Sequence, residues 1–335
     1  MAHIFLTTSA KPNPNNHNWD QGAYKHLKDS AQHCQQHTLV EDPDQADIIL
    51  FAELGTTSGP FDECIRYHPL YQKYSSKVCV FMNRNYSFHA IPGLYTGLEK
   101  HLHFPWAQAA FYIIQTPNPF LKNLEWNAEA PYLFSFVGAA CNHPVREKLR
   151  SLKDSRGFFQ DTGKLYIEAA TQGNEDALNA LHRNLADSFS KSQFILCPRG
   201  LTSSSIRIFE AMQAGRVPVI ISNDFVAPKG PDWPSFSLHI NEDDIAAIPE
   251  LLRRKEKEAC SMAQKARLAW QTYYAPNTIF TTVVNSCLTI QSQQERWLYK
   301  ASHYLKWLQL LRPKLAKIYI KSRWTLLRQY GKWYF

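Results

Sequence analysis

Short apolar runs alternate with segments of helical periodicity along most of this chain, and only a few architectures accommodate that order. The alternation is typical of parallel α/β layers, because parallel strands are joined through helical crossovers. It predicts strands at His3–Thr8, Ile48–Phe51, Lys77–Met82, Ala110–Ile114, Tyr132–Val137, Gln193–Cys197, Val217–Ser222 and Phe236–Ile240. It predicts helices at Trp19–His37, Val145–Lys153, Ile206–Ala214, Asp243–Arg254 and Lys255–Tyr274.

A chain of 335 residues is long enough for two domains of this kind. The polar, proline-containing stretch Asn127–Pro131 precedes a fresh strand and marks their boundary. We therefore predict one α/β domain at 1–130, a second at 131–293, and a basic helical tail at 294–335. Pro12–Asn18 is predicted to be a loop at the carboxyl end of the first strand, where open α/β sheets bind ligands.

The net charge of +8 is confined to the C-terminal tail. Residues 296–335 contain ten Lys or Arg and no Asp or Glu, which leaves 27 basic and 29 acidic residues, a balance of −2, in the rest of the chain. A nucleic-acid groove spread across the fold is therefore not expected. The tail interleaves its basic residues with aromatic ones, as helices on an anionic membrane surface do.

The tail either lies on a membrane surface or packs its first helix back on the first domain, and both alternatives stay open. We favour a division in which Gln294–Leu311 packs on the first domain and Lys314–Phe335, beyond a break at Pro313, lies on a membrane. The chain shows neither a leader peptide at its start nor the roughly 20 consecutive apolar residues of a spanning helix. We therefore expect a cytoplasmic protein, peripheral on the inner face of the cell membrane if the tail binds lipid.

The segment from Ser192 to Pro228 gives the clearest indication of a binding site. Its pattern predicts a strand, a loop, a helix and a second strand. The hydroxyl run that ends at Ser205 predicts an N-cap for the helix, and a helix N-terminus is a natural seat for a pyrophosphate. Arg199 in the loop and Arg207 in the first helical turn can both reach such an anion. Two guanidinium groups would stabilise a diphosphate leaving group without a metal.

Glu210 lies three residues after Arg207 and hence on the same side of the helix. It can accept hydrogen bonds from the two ribose hydroxyls of a nucleotide, as acidic residues do in other α/β units. Alternatively, it forms only an ion pair with Arg207 within the helix. Neither the G-x-x-x-x-G-K-[ST] pattern nor the G-x-G-x-x-G pattern occurs, which weakens other nucleotide-binding classes.

Several motifs in this region resemble the core signature of the exostosin family of glycosyltransferases. They are Cys197-Pro-Arg-Gly200, Ser205-Ile-Arg-Ile-Phe-Glu-Ala211, Gln213-Ala-Gly215, Val217-Pro-Val-Ile-Ile-Ser-Asn223 and Pro228. The resemblance implies a GT-B fold with two Rossmann-like domains facing a cleft, the first for the acceptor and the second for the nucleotide-sugar donor. It also implies inversion at the anomeric carbon without an obligatory metal or other cofactor, and donor binding by Arg199, Ser205, Arg207 and Glu210.

Gly138 and Arg146 also match the family's entry into the donor domain. Gly138 would allow close backbone approach to the phosphates and Arg146 would add charge; alternatively, they form a tight turn and part of a solvated helix face. Inversion requires a base that takes the proton of the acceptor hydroxyl. The candidates for it are Glu53 and His17 first, then Asp161, with Asp20, Arg84 and Tyr86 in neighbouring loops.

The leading interpretation is a transferase of surface polysaccharide assembly that moves a hexosyl or glycuronyl group. UDP-sugar is the expected donor and a glycan or a lipid-linked molecule the expected acceptor. The animal and plant relatives usually carry a membrane anchor and stem that this sequence does not show, so the family alone assigns no substrate. A second interpretation is a catalytically silent member that binds nucleotide or glycan beside an active transferase.

Overall fold

The computed structural model describes residues 1–9, 22–53, 63–66, 68–83, 89, 91–100, 106–114, 117–122, 124–293, 320 and 324. The chain divides into two compact units. Unit 1 consists of Met1–Leu98, Leu102–Gln115 and Ile279–Phe335, and unit 2 consists of Glu99–His101 and Thr116–Thr278. None of the described helices is both long enough and apolar enough to cross a membrane.

The elements alternate along the chain as the pattern predicts. The described strands are β1 (Ala2–Thr7), β2 (His37–Leu39), β3 (Ile48–Glu53), β4 (Val78–Met82), β5 (Gly93–Tyr95), β6 (Ala107–Ala109), β7 (Tyr132–Gly138), β8 (Gly157–Asp161), β9 (Ser192–Pro198), β10 (Val217–Ile221) and β11 (Leu238–Ile240). The described α-helices are α1 (Gly22–Ala31), α2 (Glu63–Arg66), α3 (Pro69–Tyr74), α4 (Pro144–Lys148), α5 (Gly163–Thr171), α6 (Glu175–Ser190), α7 (Ile206–Gln213), α8 (Ile248–Lys255), α9 (Ala259–Tyr273) and α10 (Ile279–Ser292).

Unit 1 is built on a six-stranded sheet in the order β2-β1-β3-β4-β5-β6, and every described pairing is parallel. All residues of β3 and β4 are buried, as expected for central strands covered on both faces. Helix α10 returns to this unit and packs against α1, where the Phe280 backbone N–H donates to the Ser30 hydroxyl at 3.1 Å.

Unit 2 contains a five-stranded parallel sheet in the order β11-β10-β9-β7-β8. The chain leaves β7 toward β8 on one side and later returns to β9 on the other, so β7 lies at the topological switch point. Pairing between β7 and β9 ends at Ser135 and Ile195, whereas pairing between β7 and β8 continues to Gly138. The two central strands therefore separate at their carboxyl ends.

Helix α7 is bounded as the sequence predicts. It begins after Ser205, whose backbone is extended at φ −142° and ψ 136°, and ends before Gly215. Gly215 adopts φ +62°, a left-handed conformation that favours glycine, and its N–H donates to Met212 O at 3.1 Å. The buried Arg216 then donates from Nε to Phe189 O at 2.8 Å and from Nη2 to Glu125 O at 2.7 Å, and burial lowers its pKa to about 10.

The predicted fold class is confirmed in its two parallel-sheet α/β domains. The strand predicted at Ala110–Ile114 is wrong, because its partner β5 ends at Tyr95 and the observed strand β6 lies earlier, at Ala107–Ala109. The loop predicted at Pro12–Asn18 lies outside the described residues. So does almost all of the predicted tail at 294–335.

The observed units divide the chain differently from the predicted domains 1–130, 131–293 and 294–335. Residues 116–130 join unit 2, because the Asn118 side chain donates to His182 O at 2.8 Å and Glu125 O accepts from Arg216. Helix α10 joins unit 1 because it packs against α1.

Candidate functional site

The loop between β9 and α7 brings a set of hydroxyl groups to the N-terminus of α7. Pro198 ends β9, and the Arg199 N–H donates to Ile221 O at 2.9 Å, which holds the start of the loop against β10. Ser205 occupies the N-cap position, as predicted, but its side chain forms no capping hydrogen bond. The hydroxyls of Ser204 and Ser205 are buried and have no partner among the described residues.

These two hydroxyls lie at the positive end of the α7 dipole, where backbone N–H groups commonly bind anions. A buried hydroxyl without a protein partner carries a desolvation cost, which a bound oxygen acceptor would remove. The arrangement is therefore suited to a phosphate oxygen. The predicted donor-site role of Ser205 is chemically reasonable here and stays a prediction.

Arg207 and Glu210 form the ion pair that their spacing predicts, with Nη1 of Arg207 donating to Oε2 of Glu210. Arg207 also donates from Nε to Val137 O at 3.0 Å, at the point where β7 has separated from β9. The side chain of Glu210 is only 6% exposed, against 19% for Arg207. The guanidinium is therefore held on two sides and remains partly accessible. The pair does not by itself decide whether Glu210 also binds a ribose.

Gly138 ends β7 next to this pair. A Cβ atom built there would lie 3.8 Å from Nη2 of Arg207 and 3.3 Å from the Phe136 ring, so the guanidinium lies directly against the Gly138 backbone. A Cβ at this position would be in ordinary van der Waals contact with the guanidinium. The contact of Gly138 with a phosphate stays a prediction.

Arg146 is buried and binds three backbone carbonyls. It donates from Nε to Arg199 O at 2.9 Å, from Nη1 to Ala139 O at 3.0 Å and from Nη2 to Pro198 O at 3.3 Å. The interpretation of Arg146 as part of a solvated helix face is therefore wrong. The guanidinium joins the loop after β7 to the loop after β9, and its contribution of charge to a phosphate stays a prediction.

Arg199 is surrounded by acidic side chains. Its guanidinium lies 3.3 Å from Glu99, 3.5 Å from Glu242 and 3.6 Å from Asp224, and its side chain is 13% exposed. Glu242 is itself fixed by Asn223, whose N–H donates to Oε1 at 3.0 Å. Three carboxylates around one guanidinium leave a local excess of negative charge. Arg199 therefore offers a bound diphosphate less positive charge than the sequence suggests.

The structure brings Arg207, Glu210, Ser205, Gly138 and Arg146 together at the carboxyl ends of β7 and β9. Ligands of open α/β sheets bind at this edge.

Among the candidate bases, Asp161 is the last residue of β8, and its carboxylate accepts hydrogen bonds from backbone N–H groups. Its Oδ1 accepts the N–H groups of Gly163 at 3.0 Å and Ala140 at 3.1 Å, and its Oδ2 accepts from Arg150 at 2.7 Å. These hydrogen bonds, the one from Gly163 first, hold the pKa of Asp161 below its usual value. A carboxylate stabilised in this way is a poor proton acceptor at neutral pH.

Glu53 ends β3 in unit 1 and is fully buried. Its Oε1 accepts the Ser9 N–H at 2.5 Å and the Thr8 hydroxyl at 3.3 Å, so it holds the end of β1. Its role as a base stays a prediction. His17 lies outside the described residues, as do Asp20, Arg84 and Tyr86.

Sequence reasoning missed the acidic partners of Arg199 and also His182 on α6. Burial lowers the pKa of His182, while the charges of Glu210 and Arg207 act on that pKa in opposite directions. His182 therefore lies within electrostatic reach of the ion pair. No sequence motif near His182 indicates this proximity, because α6 and α7 are separate helices that approach each other only in the folded chain.

Cys197, in the middle of the motif region, is fully buried on β9, and burial raises the pKa of its thiol far above the usual value. A neutral buried thiol does not act as a nucleophile at physiological pH.

Comparisons with known proteins bear on the same region. Residues 105–255 match the exostosin GT47 domain. Exostosin-1 of Drosophila melanogaster is 27% identical over 196 residues, which cover 54% of this chain and 25% of the fly protein. The Exostosin-1 homolog of Caenorhabditis elegans is 37% identical over 90 residues, 25% of this chain and 23% of that protein. The chain thus spans about a quarter of the length of these relatives.

Among solved structures, an α-glucosyltransferase in complex with UDP and a 13-mer DNA containing a central A:G mismatch aligns with 10% sequence identity and a TM-score of 0.43. The alignment covers 87% of this chain and 98% of the other.

Proposed function

We propose that this chain, whose residues 105–255 match the exostosin GT47 domain, belongs to the exostosin family and is a glycosyltransferase. In this proposal it transfers a sugar from a nucleoside diphosphate, with UDP as the expected carrier, to a glycan or lipid-linked acceptor. The observation that carries the proposal is the N-terminus of α7. There, Arg207 follows the buried hydroxyls of Ser204 and Ser205 along the chain, and these hydroxyls have no hydrogen-bond partner among the residues that the structure describes.

Each group has a task in such a transfer. As the bond from the anomeric carbon to the diphosphate breaks, negative charge grows on the diphosphate oxygens. Arg207 and the α7 N-terminus would stabilise that charge, and the Ser204 and Ser205 hydroxyls would donate to the same oxygens. Glu210, already buried beside Arg207, would accept the ribose hydroxyls. Positive charge supplied in this way supports a transfer that needs no metal ion.

Inversion in one step needs a base for the acceptor hydroxyl, and Glu53 and His17 remain its candidates. For the acceptor, we propose a glycan or lipid-linked molecule at the inner membrane face. Support comes from composition: residues 296–335 carry ten basic residues, no acidic residue and repeated aromatic ones. Peripheral attachment in the cytoplasm, in surface polysaccharide assembly, is the setting that this composition favours.

The test is calorimetric binding of UDP to the wild type and to Arg207→Ala, in the presence of EDTA and of magnesium. We expect metal-independent binding by the wild type and at least about a tenfold loss in Arg207→Ala, since a charge-assisted contact disappears. The matched control is Arg254→Ala, which removes an arginine from an exposed i,i+4 ion pair with Glu250. Absence of UDP binding by the wild type would refute the proposed function.

Transfer is measured separately from binding, as release of UDP from UDP-sugars with a crude glycan or lipid acceptor fraction. Turnover that disappears in Arg207→Ala supports a transferase. Tight UDP binding without turnover for any acceptor fraction would favour the silent, nucleotide-binding alternative instead.

A further inference from the structure

Glu99 lies beside the loop between β9 and α7, although it comes from the connection between β5 and β6. Strand β5 ends at Tyr95, so Glu99 follows the carboxyl end of that strand along the chain. Glu99–His101 nevertheless belongs to unit 2, whereas the chain before and after this segment belongs to unit 1. The connection thus places a carboxylate in the same unit as the candidate diphosphate site.

Backbone and side-chain contacts hold Glu99 in a defined position. Glu99 pairs with Phe225 in an antiparallel bridge, and the Lys100 N–H donates to Asp224 O at 3.2 Å. Nη2 of Arg199 donates to Oε1 of Glu99 at 3.3 Å. The carboxylate is therefore fixed both by its own backbone and by the first residue of the loop between β9 and α7.

Arg199 connects this carboxylate to the groups suited to a diphosphate. It begins the loop that leads to the hydroxyls of Ser204 and Ser205, which are buried and have no partner among the described residues. Its carbonyl accepts from Nε of Arg146 at 2.9 Å, and Nη1 of Arg146 donates to Ala139 O, just after β7. Glu99 therefore lies at the carboxyl edge of the unit 2 sheet, as these groups do.

Other carboxylates described for the chain are less suited to accept a proton from a bound acceptor. Glu242 accepts a backbone N–H at 3.0 Å through Oε1, the same atom that contacts Arg199. Asp224 lies 3.6 Å from Arg199, which is longer than a hydrogen bond, so this arginine orients it less well. Glu53 is fully buried, whereas the Glu99 side chain is 23% exposed. Glu99 thus combines a fixed position with access for a ligand.

We propose that Glu99 is the base that takes the proton of the acceptor hydroxyl. The inference rests on the proposed function, because it assigns a further group in the same transfer. As the acceptor oxygen bonds to the anomeric carbon, its proton moves to a carboxylate oxygen of Glu99. The bond from that carbon to the diphosphate breaks, and its electron pair leaves with the diphosphate. Neutral Glu99 returns the proton to solvent when the products leave, and Arg199 is a positioning residue for the carboxylate.

Glu99→Gln separates this role from a structural one, because the amide oxygen still accepts a hydrogen bond from Arg199 but takes up no proton. Stability to urea and calorimetric affinity for UDP should therefore stay close to those of the wild type. Turnover, measured as UDP release with the UDP-sugar and acceptor fraction that serve the wild type, should fall about 10²- to 10⁴-fold. Glu129→Gln, which changes an exposed glutamate of unit 2, is the matched control and should keep turnover.

Glu99→Ala with added formate gives a second test. The missing side chain leaves room for a small carboxylate beside Arg199, so formate should raise the turnover of this variant at least about tenfold. Wild-type turnover in Glu99→Gln, including the case in which Asp224→Asn or Glu53→Gln abolishes it, would overturn the assignment while the proposed function survives. Loss of UDP binding together with turnover in Glu99→Gln would make Glu99 a structural residue and overturn it as well. A wild type without turnover for any acceptor fraction would remove both proposals together.

Discussion

Two substitutions of Arg146 test whether this residue acts through its positive charge or through the geometry of its hydrogen bonds. The substitutions are Arg146→Lys, which keeps the positive charge, and Arg146→Met, which removes it. In the structure the guanidinium donates three hydrogen bonds, to the carbonyls of Ala139, Pro198 and Arg199, at 2.9 to 3.3 Å. A lysine ammonium cannot reproduce this planar fork, so we expect it to keep one of these bonds.

Hydrogen bonds from a charged donor contribute about 1.5–3 kcal/mol each, although the sum is reduced by the cost of burying the charge. Arg146→Lys should therefore lower the free energy of unfolding by about 2–3 kcal/mol. Arg146→Met, which leaves all three carbonyls without this donor, should lower it by about 3–5 kcal/mol. Both variants should also bind UDP more weakly, because the loop after β9 loses its attachment.

The assay is urea unfolding followed by circular dichroism, with UDP affinity measured by calorimetry on the same preparations. Arg150→Lys is the control, since Arg150 lies on the next helical turn and its side chain is 51% exposed in its ion pairs. It should change the free energy of unfolding by less than about 1 kcal/mol. If Arg146→Lys is as stable as the wild type and binds UDP equally well, the carbonyl contacts are unimportant and the charge alone matters.

Two further outcomes follow from the acidic residues. The pKa of Asp161 is lowered in the folded protein, so its stabilisation is present above the unfolded value of about 3.9 and is lost as pH falls through the folded pKa. Urea unfolding should thus show Asp161→Asn less stable than wild type at pH 7, with the difference closing toward pH 3; a constant difference would contradict this. Glu242→Gln keeps the acceptor for Asn223 but removes a charge beside Arg199, so calorimetry should show UDP binding a few-fold tighter. Weaker binding would instead make Glu242 a positioning residue for Arg199.

The sequence alone predicts the central elements of unit 2 well, because their signals are local. Continuous apolar runs mark β9 and β10, and α7 has a hydroxyl at its start and Gly215 at its end. Strand β8 was missed because Gly157–Asp161 is short and only partly buried. Helix α6 was missed although Asn174 caps it, since its polar face dominates the composition.

Within the site, contacts between residues close together in the sequence could be predicted, whereas contacts between distant residues could not. Arg207 and Glu210 are three residues apart, and their contact follows from helical geometry. Glu99 meets Arg199 across 100 residues, and no local pattern could indicate that pairing. The carbonyl acceptors of Arg146 were likewise invisible, because any residue type provides a carbonyl. Spacing thus predicts neighbours on one helix, whereas counter-charges and backbone contacts depend on the whole fold.

The topological switch at β7 has a consequence for how this architecture can diversify. The connection from β7 to β8 and the connection from β9 to β10 leave the sheet in opposite directions, but Arg146 in the first binds Pro198 O and Arg199 O in the second, so a change in one disturbs the other. The α5–α6 excursion between β8 and β9 takes no part in these Arg146 contacts. It can therefore change in length or composition without breaking them. Related chains can therefore acquire new ligand preferences through insertions after β8 while keeping the same anion-binding frame.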